Sequence, residues 1–124
     1  MSADSPVKKV LTIAGSDPSG GAGIQADLKT FSALRVYGMA VIAAMTAQST
    51  AGVSAVAEVS PGFVAEQLDT LLEDIRPDAT KSGMLLTEGV IEAVGQKVKQ
   101  YAIRNLVIDP DHAIMLVRRL RKGT

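Results

Sequence analysis

The chain has 124 residues, 47% of them hydrophobic and 21% charged, which is the composition of one globular domain. A net charge of zero and 3% aromatic residues argue against partners such as nucleic acid or an anionic membrane. Cysteine is absent, which excludes disulfides, thiolate metal sites and a cysteine nucleophile. The N-terminus has no apolar core of signal-peptide length, and no run approaches the length of a membrane span, so the expected location is cytoplasmic.

The first half of the chain predicts three strands and one helix. Residues 9–14 form a short β-branched run typical of a buried strand, and a glycine-rich segment follows it. Apolar residues at helical spacing predict a helix over 24–34, with Gly38 as its C-terminal cap. Residues 39–48 and 53–59 are the next two predicted strands.

The second half alternates helices and strands. Ser60 followed by Pro61 is typical of a helix N-cap and first turn, and Thr87 caps a further helix. Residues 78–84 and 105–110 are predicted strands. The alternation predicts an α/β fold with a largely parallel central sheet and right-handed crossovers.

Several unusual residues follow the predicted strands. They are the loop 15–22, Gln48, the pair Gly83-Met84, and Asp109. Ligands of parallel α/β sheets bind beyond the carboxyl ends of the strands, so we expect these residues to share one edge of the sheet. Non-functional roles are also open for two residues: Asp109 could simply start a turn, and Lys81, beside this group, could be a surface lysine.

The glycine loop does not match either nucleotide motif. A P-loop needs a lysine followed by Ser or Thr directly after its second glycine, but the first lysine after the glycines of this loop is the distant Lys29. Residues 21–26, GAGIQA, fit the dinucleotide pattern, but no acid follows about 20 residues later to hold the ribose. Two interpretations remain open: a plain flexible connector, or a loop whose backbone approaches a small ligand.

Two polar side chains have similarly open interpretations. Asp27 lies one turn into the first helix, where an acid often only complements the helix dipole. Gln48 ends an apolar strand, where its amide pairs with backbone or with the donor–acceptor edge of a heterocycle. His112 is treated as a solvated tail residue, and no residues have metal-ligand spacing.

Three segments nevertheless resemble one family closely. Residues 11–50, LTIAGSDPSGGAGIQADLKTFSALRVYGMAVIAAMTAQST, are similar to the start of the hydroxymethylpyrimidine/phosphomethylpyrimidine kinases (ThiD). FVAEQLDTLLEDIRPDATKSGML and IRNLVIDP continue the resemblance, which covers about residues 9–110. It implies a three-layer ribokinase-like fold, here only its N-terminal part. It also implies a thiamine-biosynthesis kinase that transfers phosphate from ATP, with Mg²⁺, to the pyrimidine hydroxymethyl group and then to the monophosphate.

The resemblance also implies a substrate pocket. Gly15 and Ala22 correspond to the loop that closes on the pyrimidine ring, and Asp27 to the acid that hydrogen-bonds the substrate. Gln48 is similar to the glutamine that reads the ring edge, and Met84 to the methionine that packs on the ring. The resemblance therefore favours a loop that holds a small heterocycle and not phosphates.

The chain departs from the family pattern at two places. Ser82 stands where the family motif K-I-G-M has isoleucine, a change that a strand tolerates. Residues 111–124 carry four Arg or Lys and one Asp, a net charge of +3, and no longer resemble the family. We therefore divide the chain into a kinase part, 1–110, and a divergent basic tail, 111–124.

The family's ATP site and catalytic residue lie in its second half. We therefore expect no catalytic residue in this chain and no competent catalysis by it alone. A non-catalytic pyrimidine-binding fragment and a pyridoxal-type kinase relative are the alternatives. The resemblance also implies a homodimer.

Overall fold

A computed structural model describes residues 6–109 and 113–121. Within these residues the strands are β1 (Lys9–Ser16), β2 (Tyr37–Ser49), β3 (Gly52–Glu58), β4 (Ala79–Ser82) and β5 (Leu106–Ile108). The helices are α1 (Gly23–Ala33), α2 (Pro61–Leu72), α3 (Glu88–Gln100) and α4 (Ala113–Arg121). Every strand and helix predicted from the sequence is present, with ends that shift by a few residues.

The strands form one sheet in the order β3-β2-β1-β4-β5. Strand β1 pairs in parallel with β2 and β4, and β4 pairs in parallel with β5. Strand β3 is the exception, since it forms an antiparallel hairpin with β2 through a two-residue connection. The prediction of an α/β fold with a largely parallel sheet is confirmed.

The apolar core lies on one face of the sheet. Leu11 and Ile13 of β1 are fully buried, and the alternation of a strand sends both side chains to the same face. Helices α2 and α3 cover that face and contribute buried residues at helical spacing: Val64, Leu68, Leu72, Val90, Ile91, Val94 and Val98. Burial of this apolar surface is the main stabilising contribution to the domain.

Helix α1 covers the opposite face, so the sheet lies between two helical layers. Gly38 does not cap this helix, and that prediction is wrong. The helix ends at Ala33, and Arg35 takes the left-handed conformation with φ 60°. Gly38 lies inside β2, where a Cβ atom would come within 3.0 Å of both Leu28 and Phe31. The glycine is needed for close packing of α1 on β2.

The predicted N-caps of α2 and α3 are confirmed. The Ser60 hydroxyl accepts a hydrogen bond from the backbone N–H of Phe63 at 3.1 Å. The Thr87 hydroxyl accepts one from Val90 at 3.2 Å. Each bond satisfies one of the backbone donors that a helix start leaves without an intrahelical partner.

Helix α4 packs on α3. Leu116 is buried, and a Cβ atom on Gly95 of α3 would come within 2.7 Å of the Arg119 side chain. His112 lies outside the described residues, and the proposed division of the chain at residue 110 stays a prediction. No helix within residues 6–109 and 113–121 is long and apolar enough to cross a membrane.

The capping bond of Ser60 gives a test of the fold. We expect Ser60→Ala to lower the free energy of unfolding by about 1 kcal/mol, because the N–H of Phe63 loses its side-chain acceptor. Urea denaturation measures the change, with Ser32→Ala, at an exposed position inside α1, as the control. Equal losses in the two variants would contradict the capping role.

Candidate active site

A cavity of about 310 Å³ opens at the carboxyl ends of β1, β2 and β4. Its volume is at the lower end of the range for small-molecule sites. Its lining combines small residues with polar side chains: Ala14, Gly15, Ser16, Asp17, Ala22, Gly23, Thr46, Gln48, Val53, Lys81, Gly83, Met84 and Asp109. The structure thus brings together the residues that the sequence placed at this edge, although their roles toward a substrate stay predictions.

The glycine loop is organised by Asp17, whose side chain is only 3% exposed. The backbone N–H and hydroxyl of Ser19 donate to Oδ1 at 2.9 and 2.7 Å, and the N–H of Ala22 donates to Oδ2 at 2.9 Å. These bonds, that of the Ser19 hydroxyl above all, hold the pKa of Asp17 below its ordinary value of 3.8. The amide of Gln25 fixes the preceding turn, since it accepts from the Asp17 N–H and donates to the Ser16 hydroxyl.

This arrangement does not fit a bound phosphate at the loop. A phosphate cradle needs backbone N–H groups that point at the anion, but those of Ser19 and Ala22 already bond the Asp17 carboxylate. A phosphate here would also meet a second negative charge. The backbone donors of the loop therefore bind the Asp17 carboxylate of the loop itself. This agrees with the absence of a P-loop motif in the sequence.

Two glycines allow close packing around the cavity. Gly23 has φ +61°, and a Cβ atom there would lie 2.2 Å from the Gly15 carbonyl oxygen, so no other residue fits. A Cβ atom on Gly15 would lie 2.7 Å from the Met84 methyl group. Met84 therefore lies directly over the backbone of β1, where its flexible thioether forms one apolar surface of the cavity.

Gln48 reaches the cavity from a strand that is irregular at this end. Between Ala47 and Gln48 the pairing with β3 shifts, and β3 holds one extra residue there. Such bulges change the direction of neighbouring side chains. The Thr46 hydroxyl lies 3.1 Å from Gln48 Oε1 and 2.9 Å from the Ser16 carbonyl oxygen. The one hydroxyl hydrogen serves only one of these oxygens at a time, so the Gln48 carbonyl oxygen keeps acceptor capacity and its NH2 group can donate to a ligand.

Asp27 does not line the cavity. Its carboxylate receives the Thr12 hydroxyl at 2.6 Å and the Lys81 ammonium at 2.8 and 3.0 Å. Thr12 is fully buried, whereas the Lys81 and Asp27 side chains are 28% and 18% exposed. Lys81 connects Asp27 to the cavity. It is therefore more than the surface lysine that the sequence left open.

Two larger grooves, of about 520 and 460 Å³, lie between α2 and β2 on the other side of the sheet. Phe63 and Gln67 line both. The Gln67 amide is already used, since it accepts from the backbone N–H of Ile42 at 3.0 Å and donates to its carbonyl oxygen at 2.9 Å. Size alone does not identify the site, and the smaller cavity has the convergent polar groups.

Comparison with known proteins identifies the family of the chain. A family model described as phosphomethylpyrimidine kinase matches residues 17–120. The hydroxymethylpyrimidine/phosphomethylpyrimidine kinase of Escherichia coli (strain K12) is 58% identical over 99 residues, which are 80% of this chain and 37% of the relative. The solved phosphomethylpyrimidine kinase of Clostridium difficile 630 matches with a TM-score of 0.81 and 50% identity, over 83% of this chain and 45% of that one.

A third match is the ADP complex of Bacillus subtilis pyridoxal kinase, with a TM-score of 0.81 and 40% identity, over 93% of this chain and 47% of that one. The fold is thus that of the ribokinase-like kinases. Within that class, the chain belongs to the phosphomethylpyrimidine kinase family. It spans less than half the length of each of these three relatives.

The lowered pKa of Asp17 predicts a pH dependence. Because the folded state favours the ionised carboxylate, its stabilising effect is full above the ordinary pKa of 3.8 and is lost as the pH falls through the lower folded value. We expect Asp17→Asn to be less stable than the parent at pH 7. The difference should shrink at pH 3.

Urea denaturation at the two pH values measures this difference. Asp74→Asn, at an exposed position after α2, controls for removal of a carboxylate in general. A deficit of Asp17→Asn that is the same at both pH values would contradict the role of the ionised carboxylate.

Proposed function

We propose that this chain is the pyrimidine-binding part of a hydroxymethylpyrimidine/phosphomethylpyrimidine kinase of thiamine biosynthesis. The observation that carries the proposal is the convergence of Gly15, Ala22, Gln48 and Met84 on one cavity. They come from three separate parts of the chain. Membership of the family supports the choice of a pyrimidine as the ligand.

The geometry suggests a role for each of these residues. The half-buried Gln48 amide supplies a donor and an acceptor, which suits the ring nitrogen and exocyclic amine of an aminopyrimidine. Met84 packs on one ring face, and Gly15 leaves room for the methyl group of that methionine against β1. Ala22, held by Asp17, closes the loop side of the cavity.

Calorimetric titration of the purified 124-residue chain with hydroxymethylpyrimidine tests the proposal. We expect binding, and we expect Gln48→Ala to weaken it about 10-fold, because hydrogen bonds to the ring edge are lost. Gln96→Ala, at an exposed position on α3, is the matched control and should bind like the parent. No heat from a chain whose circular dichroism shows it to be folded would contradict the proposal.

A pyridoxal-type kinase is the second candidate, because a pyridoxal kinase matches as large a part of the chain with the same TM-score. The two candidates differ in the ring that the cavity accepts. Titration with pyridoxine, and competition between pyridoxine and hydroxymethylpyrimidine, separates them. Tighter binding of pyridoxine would favour the second candidate.

Nucleotide binding belongs to the family, since the solved relatives include complexes with ADP and AMP-PCP. For this chain, ATP as phosphate donor, Mg²⁺ as its companion, a homodimer and a cytoplasmic location are proposals that rest on the resemblance. The described residues do not supply a phosphate cradle at the glycine loop, so no catalytic step is assigned to them.

We expect the 124-residue chain alone not to turn over ATP. Phosphoryl transfer depends on groups that position the phosphates and stabilise their charge, and the resemblance implies that these groups lie in the second half of the family's chains. A coupled assay for ADP, with ATP, Mg²⁺ and hydroxymethylpyrimidine, measures this. Steady pyrimidine-dependent ADP production would contradict the expectation.

A further inference from the structure

The polar cluster formed by Thr12, Asp27 and Lys81 lies between α1 and the sheet. Lys81 on β4 is the register partner of Thr12 on β1, so both side chains are on the face that α1 covers. Asp27 reaches down from α1 and bonds both residues. Of the three, only Lys81 lines the cavity.

The Lys81 side chain reaches the cavity across Gly83. A Cβ atom on Gly83 would lie 3.2 Å from the Lys81 ammonium nitrogen and 2.8 Å from the Ala14 methyl group. The absence of a side chain at Gly83 thus leaves the space beside which the ammonium lies. The ammonium contacts both carboxylate oxygens of Asp27, and since an ammonium carries three donors, a further donor can serve a ligand.

Lys81 and Gln48 stand on opposite sides of the cavity. They belong to β4 and β2, which flank β1 and therefore lie roughly 9–10 Å apart. Met84 and Gly15 lie between them. Among the described residues that line the cavity, Lys81 is the one cationic side chain, so an oxygen-bearing or anionic arm of a ring bound there finds its charged partner in Lys81.

We propose that Lys81 contacts the oxygen-bearing arm of the substrate, and that Asp27 is a positioning residue that acts on the substrate through Lys81. The inference rests on the proposed function, since it takes the arm to be the hydroxymethyl or phosphomethyl group in the names of the relatives. It differs from the role that the resemblance implies for Asp27, which is a direct bond to the substrate.

The carboxylate of Asp27 is already occupied. Oδ2 accepts from both Thr12 and Lys81, and Oδ1 accepts from Lys81. A direct bond to the ligand would have to displace one of these donors. Lys81 needs no such displacement, and a cation at the end of the arm holds the phosphate ester more tightly than the alcohol.

A double-mutant cycle tests the proposal, with calorimetry of hydroxymethylpyrimidine and of its phosphate on the full chain. Lys81→Met should weaken binding of the phosphate about 10-fold or more and that of the alcohol about 3-fold, because charge-assisted bonds are the stronger. Asp27→Asn should change the ratio of the two affinities in the same direction. In the Lys81→Met background, Asp27→Asn should have no further effect.

The opposite results are equally clear. An unchanged ratio of affinities in Lys81→Met, or an effect of Asp27→Asn that persists in full without Lys81, overturns the proposal. Lys81→Gln serves the same test if Lys81→Met does not fold.

Gln48→Ala distinguishes a failure of the proposed function from a failure of the role of Lys81. If it weakens binding and Lys81→Met does not, only the role of Lys81 fails. If the parent chain binds neither ligand, the proposed function fails and this inference with it.

Discussion

The closure of the glycine loop on the Asp17 carboxylate is the interaction on which the site depends. Without that anion, the donors of Ser19 and Ala22 would face solvent at the start of α1. With it, the negative charge of the Asp17 carboxylate lies at the positive end of the α1 dipole, where it is stabilising. The same bonds hold Ala22 at the wall of the cavity and bring Gly23 against the Gly15 carbonyl.

The two faces of the sheet have different tasks. The face under α2 and α3 is apolar and carries most of the buried side chains. The face under α1 holds the ion pair of Lys81 and Asp27, together with the buried Thr12 hydroxyl. Stability and ligand contact are therefore separated, because the residues that line the cavity are not part of the apolar core.

The sequence predicted much of this arrangement because its signals are local. The β-branched run of β1, the caps Ser60 and Thr87, and the apolar spacing of α2 and α3 each depend on a few neighbouring residues. The grouping of Gln48 and Met84 with the glycine loop followed from one general rule about parallel sheets.

Non-local features were missed. The pairing of Lys81 with Asp27 joins residues 54 apart, and it depends on β4 lying beside β1. The bond between Asp17 and Ala22 was missed as well, because it depends on the path of the whole loop. Gly38 was wrongly taken as a cap because its purpose, room for Leu28 and Phe31, involves another element.

The hairpin of β2 and β3 forms an exposed side of the cavity. Every residue of β3 is exposed, and the strand pairs only with β2, yet Val53 lines the cavity. Strands with few buried contacts open locally at a lower free energy than the core. A ligand held between Gln48 and β1 orders this hairpin when it binds, and the conformational entropy that the hairpin loses lowers the affinity. The affinity therefore depends on how ordered the hairpin is without ligand as well as on the contacts with the ligand.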